Sequence, residues 1–336
     1  MTRLFPAARL AALCAVLFPA GAASAQTVKI KLGTLAPQGS AWHQLLLEMA
    51  GKWKEASGGK VELKVYAGGT QGSEGEMIRK IDIGQLQAAS MTAVGLHEIT
   101  PEPQAEDVPL MIESYEEYEY VHAKVQPRLE EALAKKGFIA LNWGEVGFVY
   151  FFSTEAYRSP ADFAKGKVFT WNGDPGAEAA WKAAGMHPVV LSSTDLIPSL
   201  SSHMINIISE PPLYAYTANI YEKANHMLDL PWGLLTGATV VRKDAWEKIP
   251  ADIRPKLLAI AVEYGKKTTA DVRKQNADAL VQMKKKGLHV ETPSSTEEWA
   301  AQVQKMNGVV RGKVVPAAIY DEVKKYRDEY RAQHKK

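Results

Sequence analysis

The hydrophobic and polar positions of this chain change period repeatedly, and each change marks an expected element. Residues 28–33 and 61–66 are short β-branched runs of the kind that form buried strands. Between them Trp42, Leu45, Leu46, Met49 and Trp53 recur three and four apart, the spacing of one helix face, with Ser40 placed to cap its start. A second helix spans about 74–83 and stops at Gly84, and 86–94 returns to a strand pattern. Helical spacing covers 115–136, followed by strand-like 138–143 and 148–152. Pro160, Gly166, Gly173 and Pro175 punctuate the next stretch, so 167–171 reads as a strand and a helix begins near Asp174. Strands are expected at 186–191 and 204–208, with a helix from about Ser193 between them, and Pro211 and Pro212 end that unit. After a strand at 234–241, a helical pattern runs from Pro250 to about Lys286, far beyond the roughly 12 residues of an ordinary helix. A helix of that length can brace two lobes. The chain closes with a helix at 295–310 and a charged terminal helix or tail at 320–336.

Strand and helix alternate through the first two thirds, the order that builds parallel sheets covered by helices. A chain of over 300 residues usually divides into two cores, and here the pattern of the first unit resumes near Leu234. Two lobes joined by more than one crossing enclose a cleft whose walls close by hinge motion.

The first 25 residues carry a different signal. Arg3 and Arg9 form a basic start, 10–18 an apolar stretch, and Ala23-Ser24-Ala25 a small-residue cleavage site before Gln26. The apolar stretch is shorter than the roughly 20 residues a spanning helix needs. Export with cleavage is therefore expected, leaving 311 of the 336 residues. The only cysteine, Cys14, leaves with the signal, and Leu13 before it is not the small residue that lipid attachment requires. A mature chain without thiols holds neither disulfide nor cysteine-ligated metal. Removing Arg3 and Arg9 also turns a formal charge of +2 into a balance of 38 basic and 38 acidic residues, which argues against nucleic acid or an anionic membrane as partner.

The sequence shows no catalytic constellation. Ser201-Ser202-His203 lacks the glycines of a nucleophile elbow, and adjacent residues on an element point apart. His43 and Glu48 are five apart, off the spacing that puts two metal ligands on one helix face. The glycines of 166–176 match neither a phosphate loop nor a dinucleotide fingerprint.

Several segments together resemble the solute-binding proteins of tripartite ATP-independent periplasmic (TRAP) transporters. The opening Lys31-Leu32-Gly33-Thr34-Leu35-Ala36-Pro37 with Ser40-Ala41-Trp42 looks like the family's first strand and turn. Val61-Glu62-Leu63-Lys64-Val65-Tyr66, Gly72-Ser73-Glu74 and Gly84 match its second strand, glycine turn and second helix end. Gly185-Met186-His187-Pro188-Val189, residues 206–211, and 246–250 with Ile253-Arg254 follow in the family's order. The resemblance implies a two-lobed α/β periplasmic-binding-protein fold, with residues 26–146 and 234–275 in lobe I, 147–233 and 276–312 in lobe II, and 313–336 as a terminal helix or tail. It implies a periplasmic protein that closes on a small molecule without cofactor or metal, and hands it to small and large membrane subunits. A periplasmic enzyme using the same cleft, or a sensor that presents its ligand to a receptor, stays open on the residues alone.

The chain departs from the family at the residues that would hold an organic acid. The family's clamping arginine falls at Phe169 in Gly166-Lys167-Val168-Phe169-Thr170-Trp171, a second at Val149 after Gly147-Phe148, and its asparagine before proline at Glu210. Guanidinium is the usual bidentate partner of a carboxylate, so its absence points to an uncharged or cationic, ring-bearing ligand. Arg79 and Arg242 are the alternative sources of positive charge. Trp42, Trp143, Trp171 and Trp232 lie at expected strand ends or turns, where open α/β sheets bind ligands, although tryptophan also packs lobes. Glu74 and Glu210 are candidate acceptors, Phe169 a candidate wall, and Tyr214, with Tyr216, a candidate donor at the rim.

Overall fold

The structure, a computed structural model, describes residues 27–172, 174–192 and 195–334. The expected signal with Cys14, the start at Gln26 and the helix start at Ser193 lie outside those residues. In chain order the first elements are β1 (Val28–Thr34), α1 (Ala41–Ala56), β2 (Val61–Tyr66), α2 (Glu74–Asp82), β3 (Ala88–Thr92), α3 (Ala93–His97), α4 (Tyr115–Lys135) and β4 (Phe138–Ser153). Next come α5 (Pro160–Phe163), β5 (Lys167–Trp171), α6 (Pro175–Ala183), β6 (His187–Leu191), α7 (Leu196–Ser201), β7 (Ile207–Glu210), α8 (Pro212–Thr217) and β8 (His226–Arg242). The chain ends through α9 (Lys243–Glu247), α10 (Arg254–Lys285), β9 (His289–Glu291), α11 (Thr296–Lys313) and α12 (Ala317–Gln333). No helix among the described residues is long and apolar enough to cross a membrane.

Local chemistry places many of these starts. The Ser40 side chain accepts from the His43 amide, and Ser73 and Glu76 bond each other's backbone in a full capping box at α2. Asp174 accepts from the Ala177 amide with Pro175 at the first turn, where a missing N–H leaves no gap. In α1 the buried Leu46, Met49 and Trp53 form the stripe that the spacing predicts, and the Trp53 indole donates to the Leu257 carbonyl at 3.0 Å.

One sheet runs through the fold in the order β2-β1-β3-β8-β4-β7-β5-β6, with β9 beside β8. Pairing is parallel at both ends and antiparallel among β3, β8, β4 and β7. The expectation of purely parallel sheets is thus corrected at the centre. There the long strands β4 and β8 pair with each other, β8 also with β3 and β4 also with β7. The two strands expected at 138–143 and 148–152 are one, because bulges at Ala140/Asn142, Glu145/Gly147 and Val149/Phe151 absorb the residues that break the pattern. Gly147 takes φ +124, a backbone conformation that L side chains rarely adopt, and a Cβ there would run into the Asn276 amide.

The other corrections are local. The third strand ends at Thr92, which starts α3 instead of extending the strand to residue 94. The strand expected at 204–208 lies at Ile207–Glu210, since His203 turns the chain at φ +58 and Asn206 uses its side chain to accept from the Lys167 amide at 2.6 Å. The expected strand from Leu234 begins earlier, at His226, with Pro231 in an interruption of the ladder where it needs no N–H partner. Pro212 ends the strand unit but also starts α8. The terminal segment is helical and packs on α4, where Arg331 meets Glu117 at 2.6 Å and Arg128 meets Glu322 at 2.6 Å. The long helix α10 spans 32 residues and touches α1, β4 and α8, as a brace must.

Candidate ligand cleft

The carboxyl ends of the parallel strands β5 and β7 open into the larger cleft, the position where open α/β sheets expose backbone and side chains to ligands. About 1010 Å³ of non-atom space, continuous with solvent, lies there. Phe169, Thr170 and Trp171 come from β5, Ser209 and Glu210 from β7, and Trp232 from the interruption in β8. The opposite wall holds Val94 of α3, Gln104 and the turn through Asp107, Val108 and Pro109. Asp174 and Gly176 at the start of α6 close one side. The Leu110 amide reaches the Trp232 carbonyl at 2.8 Å and ties that turn to the β8 interruption.

Three carboxyl groups line this cleft, and no Lys, Arg or His stands among its lining residues. Asp107 is held by Thr236, whose hydroxyl donates at 2.6 Å and whose amide donates at 3.2 Å. Burial nevertheless pushes its pKa well above the usual carboxyl range. Asp174 spends one oxygen on the Ala177 amide at 2.9 Å and is raised, again by burial. Glu210 is the unusual one. It is 5% exposed, its Oε1 is buried without a hydrogen-bond partner, and desolvation pushes its pKa up to about 8. Across the antiparallel pair it faces Tyr150, and continuing the parallel Val168↔Ile207 register sets Trp171 beside it. The Tyr214 phenol is pushed to about 12, first by burial and then by the Glu210 charge. Phe169 meets Trp171 edge to face at 4.7 Å, and Trp232 stacks on Trp181 at 5.2 Å.

The structure brings together Phe169, Trp171, Glu210 and Trp232 of the candidates read from sequence. Phe169 is only 1% exposed, so it supports the wall more than it presents a face. Tyr214 stands behind the wall at the start of α8, in the apolar cluster that also packs Trp171. Trp42 and Trp143 line a separate small cavity against α10 with Tyr264 and Gly265. Trp143 meets the His122 ring at 5.3 Å, and its indole reaches Glu130. Glu74 lies elsewhere, buried against the start of α3, accepting from the Thr92 amide and hydroxyl at 2.7 Å each. Burial raises its pKa to about 7 against the pull of those bonds. Of the alternative cations, Arg242 binds Asp82 at 2.8 Å, and neither it nor Arg79 lines the cleft.

Sequence reasoning missed Asp107, Asp174 and Trp181 as cleft residues. Asp174 was visible only as a helix start; Asp107 and Trp181 carried no local signal.

Comparison with known proteins decides the kinship. The family described as bacterial extracellular solute-binding protein, family 7, matches residues 32–311. The chain belongs to this family. The C4-dicarboxylate-binding periplasmic protein DctP of Rhodobacter capsulatus is 24% identical over 259 residues, 76% of each chain. The TRAP periplasmic solute-binding protein of Desulfovibrio salexigens with bound orotic acid superposes with a TM-score of 0.82 at 20% identity, covering 91% of this chain and 99% of that one. Its counterpart from Ralstonia eutropha H16 with bound (S)-2-acetolactate gives 0.82 at 20% identity, covering 90% and 99%. The family 7 fold therefore supplies the two-lobed frame in which the cleft lies.

Proposed function

We propose that this chain is a periplasmic receptor that captures one small organic molecule between its halves and delivers it to the small and large membrane subunits of a TRAP transporter. The observation that carries the reading is the cleft, whose walls come from both sides of the β4–β8 pair and whose chemistry is concentrated at the ends of β5 and β7. Family membership and the descriptions of the relatives support it. Residues 26–146 with 234–275 form lobe I and 147–233 with 276–312 form lobe II, 313–336 completing the outer layer. The crossings then fall near Gly147 and Leu234, and closure turns about that line. Contacts available only on closure shift the population to the closed form. Phe169, Trp171, Glu210 and Trp232 serve as the ligand wall. The signal at 1–25 directs export.

The reading is capture without turnover. The lining offers carboxyls and aromatic rings suited to holding a solute, and family membership supports binding in place of turnover. The test is to extract the small molecule that copurifies with the protein, identify it by mass spectrometry, and return it to ligand-free protein. At about a hundred times its dissociation constant it should stabilise the fold by roughly 2.7 kcal/mol and be recovered unchanged. Product that accumulates with time and protein concentration would overturn the reading in favour of an enzyme.

A further inference from the structure

The buried, unpartnered oxygen of Glu210 needs an explanation that the fold itself does not provide. A carboxyl with a lone oxygen in an apolar wall costs the desolvation of that group and contributes nothing to packing. Among the described residues that line the cleft there is no guanidinium or ammonium, and burial is what raises the Glu210 pKa. What surrounds it is aromatic. Tyr150 of β4 sits opposite it, Trp171 beside it, Tyr214 of α8 within its electrostatic reach, and Phe169 edge-on to Trp171. Across the cleft stand Asp107 and Asp174, the latter within electrostatic reach of His97. An organic acid entering this site would meet three carboxyl groups and no cation, whereas an organic cation would meet a free carboxyl oxygen and ring faces that attract positive charge.

We propose that the solute of this cleft carries an organic ammonium group, with its nitrogen on Glu210 and its hydrocarbon part against Trp171 and the neighbouring rings. The assignment rests on the solute-binding reading and narrows it, and it sets this chain apart from the relatives whose bound ligands are carboxylates. Of the groups facing Glu210, Tyr150 and Tyr214 are raised by burial, away from neutrality, whereas burial raises the carboxyls of Asp174 and Asp107 toward it, so Glu210→Gln is the variant that assigns the pH dependence to Glu210. A cation therefore binds the ionised form of Glu210 and displaces its proton.

Ligand-free mature protein, obtained by unfolding and refolding, is titrated calorimetrically at pH 6 and pH 8. The cationic probes are choline, cyclohexylamine and cadaverine; the acids are orotate, malate and D-glucuronate; the neutral probe is myo-inositol. With Glu210 titrating at about 8, a cation should bind about 50-fold more tightly at pH 8 than at pH 6 and release a proton into the buffer. Glu210→Gln should weaken that binding about a hundredfold and flatten its pH dependence. Its melting temperature shows that the variant is folded. An acid that binds with proton uptake, or a ligand of any class whose affinity ignores Glu210→Gln, overturns the assignment and leaves solute binding standing. Failure of every cation, acid and polyol to bind overturns both readings.

Discussion

Glu210 and Glu74 are both glutamates buried against β-strand ends, and they illustrate how a single position sets the balance between stability and binding. Each is protonated more readily in the folded chain than in the unfolded one, Glu74 at about 7 and Glu210 at about 8. The folded state therefore holds the extra protons, so their contribution to stability is complete below the ordinary glutamate value and is lost as pH rises toward 7 and 8. Glu210→Gln removes one of these losses: the ligand-free variant should match the wild type at pH 4 and exceed it by about 2–4 kcal/mol at pH 8 in urea melts. Equal stabilities at pH 8 would show that the carboxyl is better solvated than its burial indicates. Glu74 differs because its oxygens are used, accepting from Thr92 at the start of α3. Glu74→Ala strands those donors and should cost about 2–3 kcal/mol while changing ligand affinity less than threefold. In the sequence the two glutamates look alike. Glu210 stood out because Pro211 ends its strand, but nothing local tells that Glu74 has a partner at Thr92 and Glu210 has none.

At the scale of elements, the places where the sequence pattern and the structure diverge cluster around the central strand pair. Gly144 and Gly147 look like a turn between two strands, yet the bulged ladder carries β4 straight through them. The compensation comes from α10. Asn276 donates to the Val146 carbonyl at 2.9 Å and accepts from the Leu213 amide at 2.9 Å, joining the β4 bulge to α8. Arg273, one turn earlier, pairs with the buried Glu145 and with Glu119, and its guanidinium lies over the Tyr115 ring. Asn276→Ala leaves two backbone groups unpaired at the crossing and should lower stability by about 2–4 kcal/mol in urea melts. A loss below about 0.5 kcal/mol would mean that water replaces the amide without penalty. The bracing role of α10 was legible because its periodicity outruns one lobe. Its partners were not, because a helical pattern names the apolar stripe and leaves open which polar residues on the flank meet a bulge.

For the molecule as a whole, the proposed closure about the β4–β8 pair would be selected by ligand. Small-angle scattering should therefore report a smaller radius of gyration when the copurified solute is added back to ligand-free protein, and Trp171→Ala should weaken that response by removing a ring from the cleft wall. An unchanged radius at saturating solute would place the ligand outside the cleft. The secreted form should have an intact mass beginning at Gln26 and no acyl chain; a mass retaining 1–25 would reject the signal reading. The alternation of strand and helix, the length of α10 and the turns at Gly84 and Pro211 were determined by the sequence itself, since each rests on periodicity or turn residues, and the resemblance that pointed to family 7 rests on the order and spacing of several segments together. Only the tertiary structure decided that Asp107, Asp174 and Glu210 share one cleft with no Lys, Arg or His among its lining residues, that Trp42 and Trp143 pack against α10 instead, and that one buried oxygen among the three carboxyls has no partner. Those are relations between residues far apart in the chain, and a pattern of local spacing holds no information about which distant side chain ends beside which.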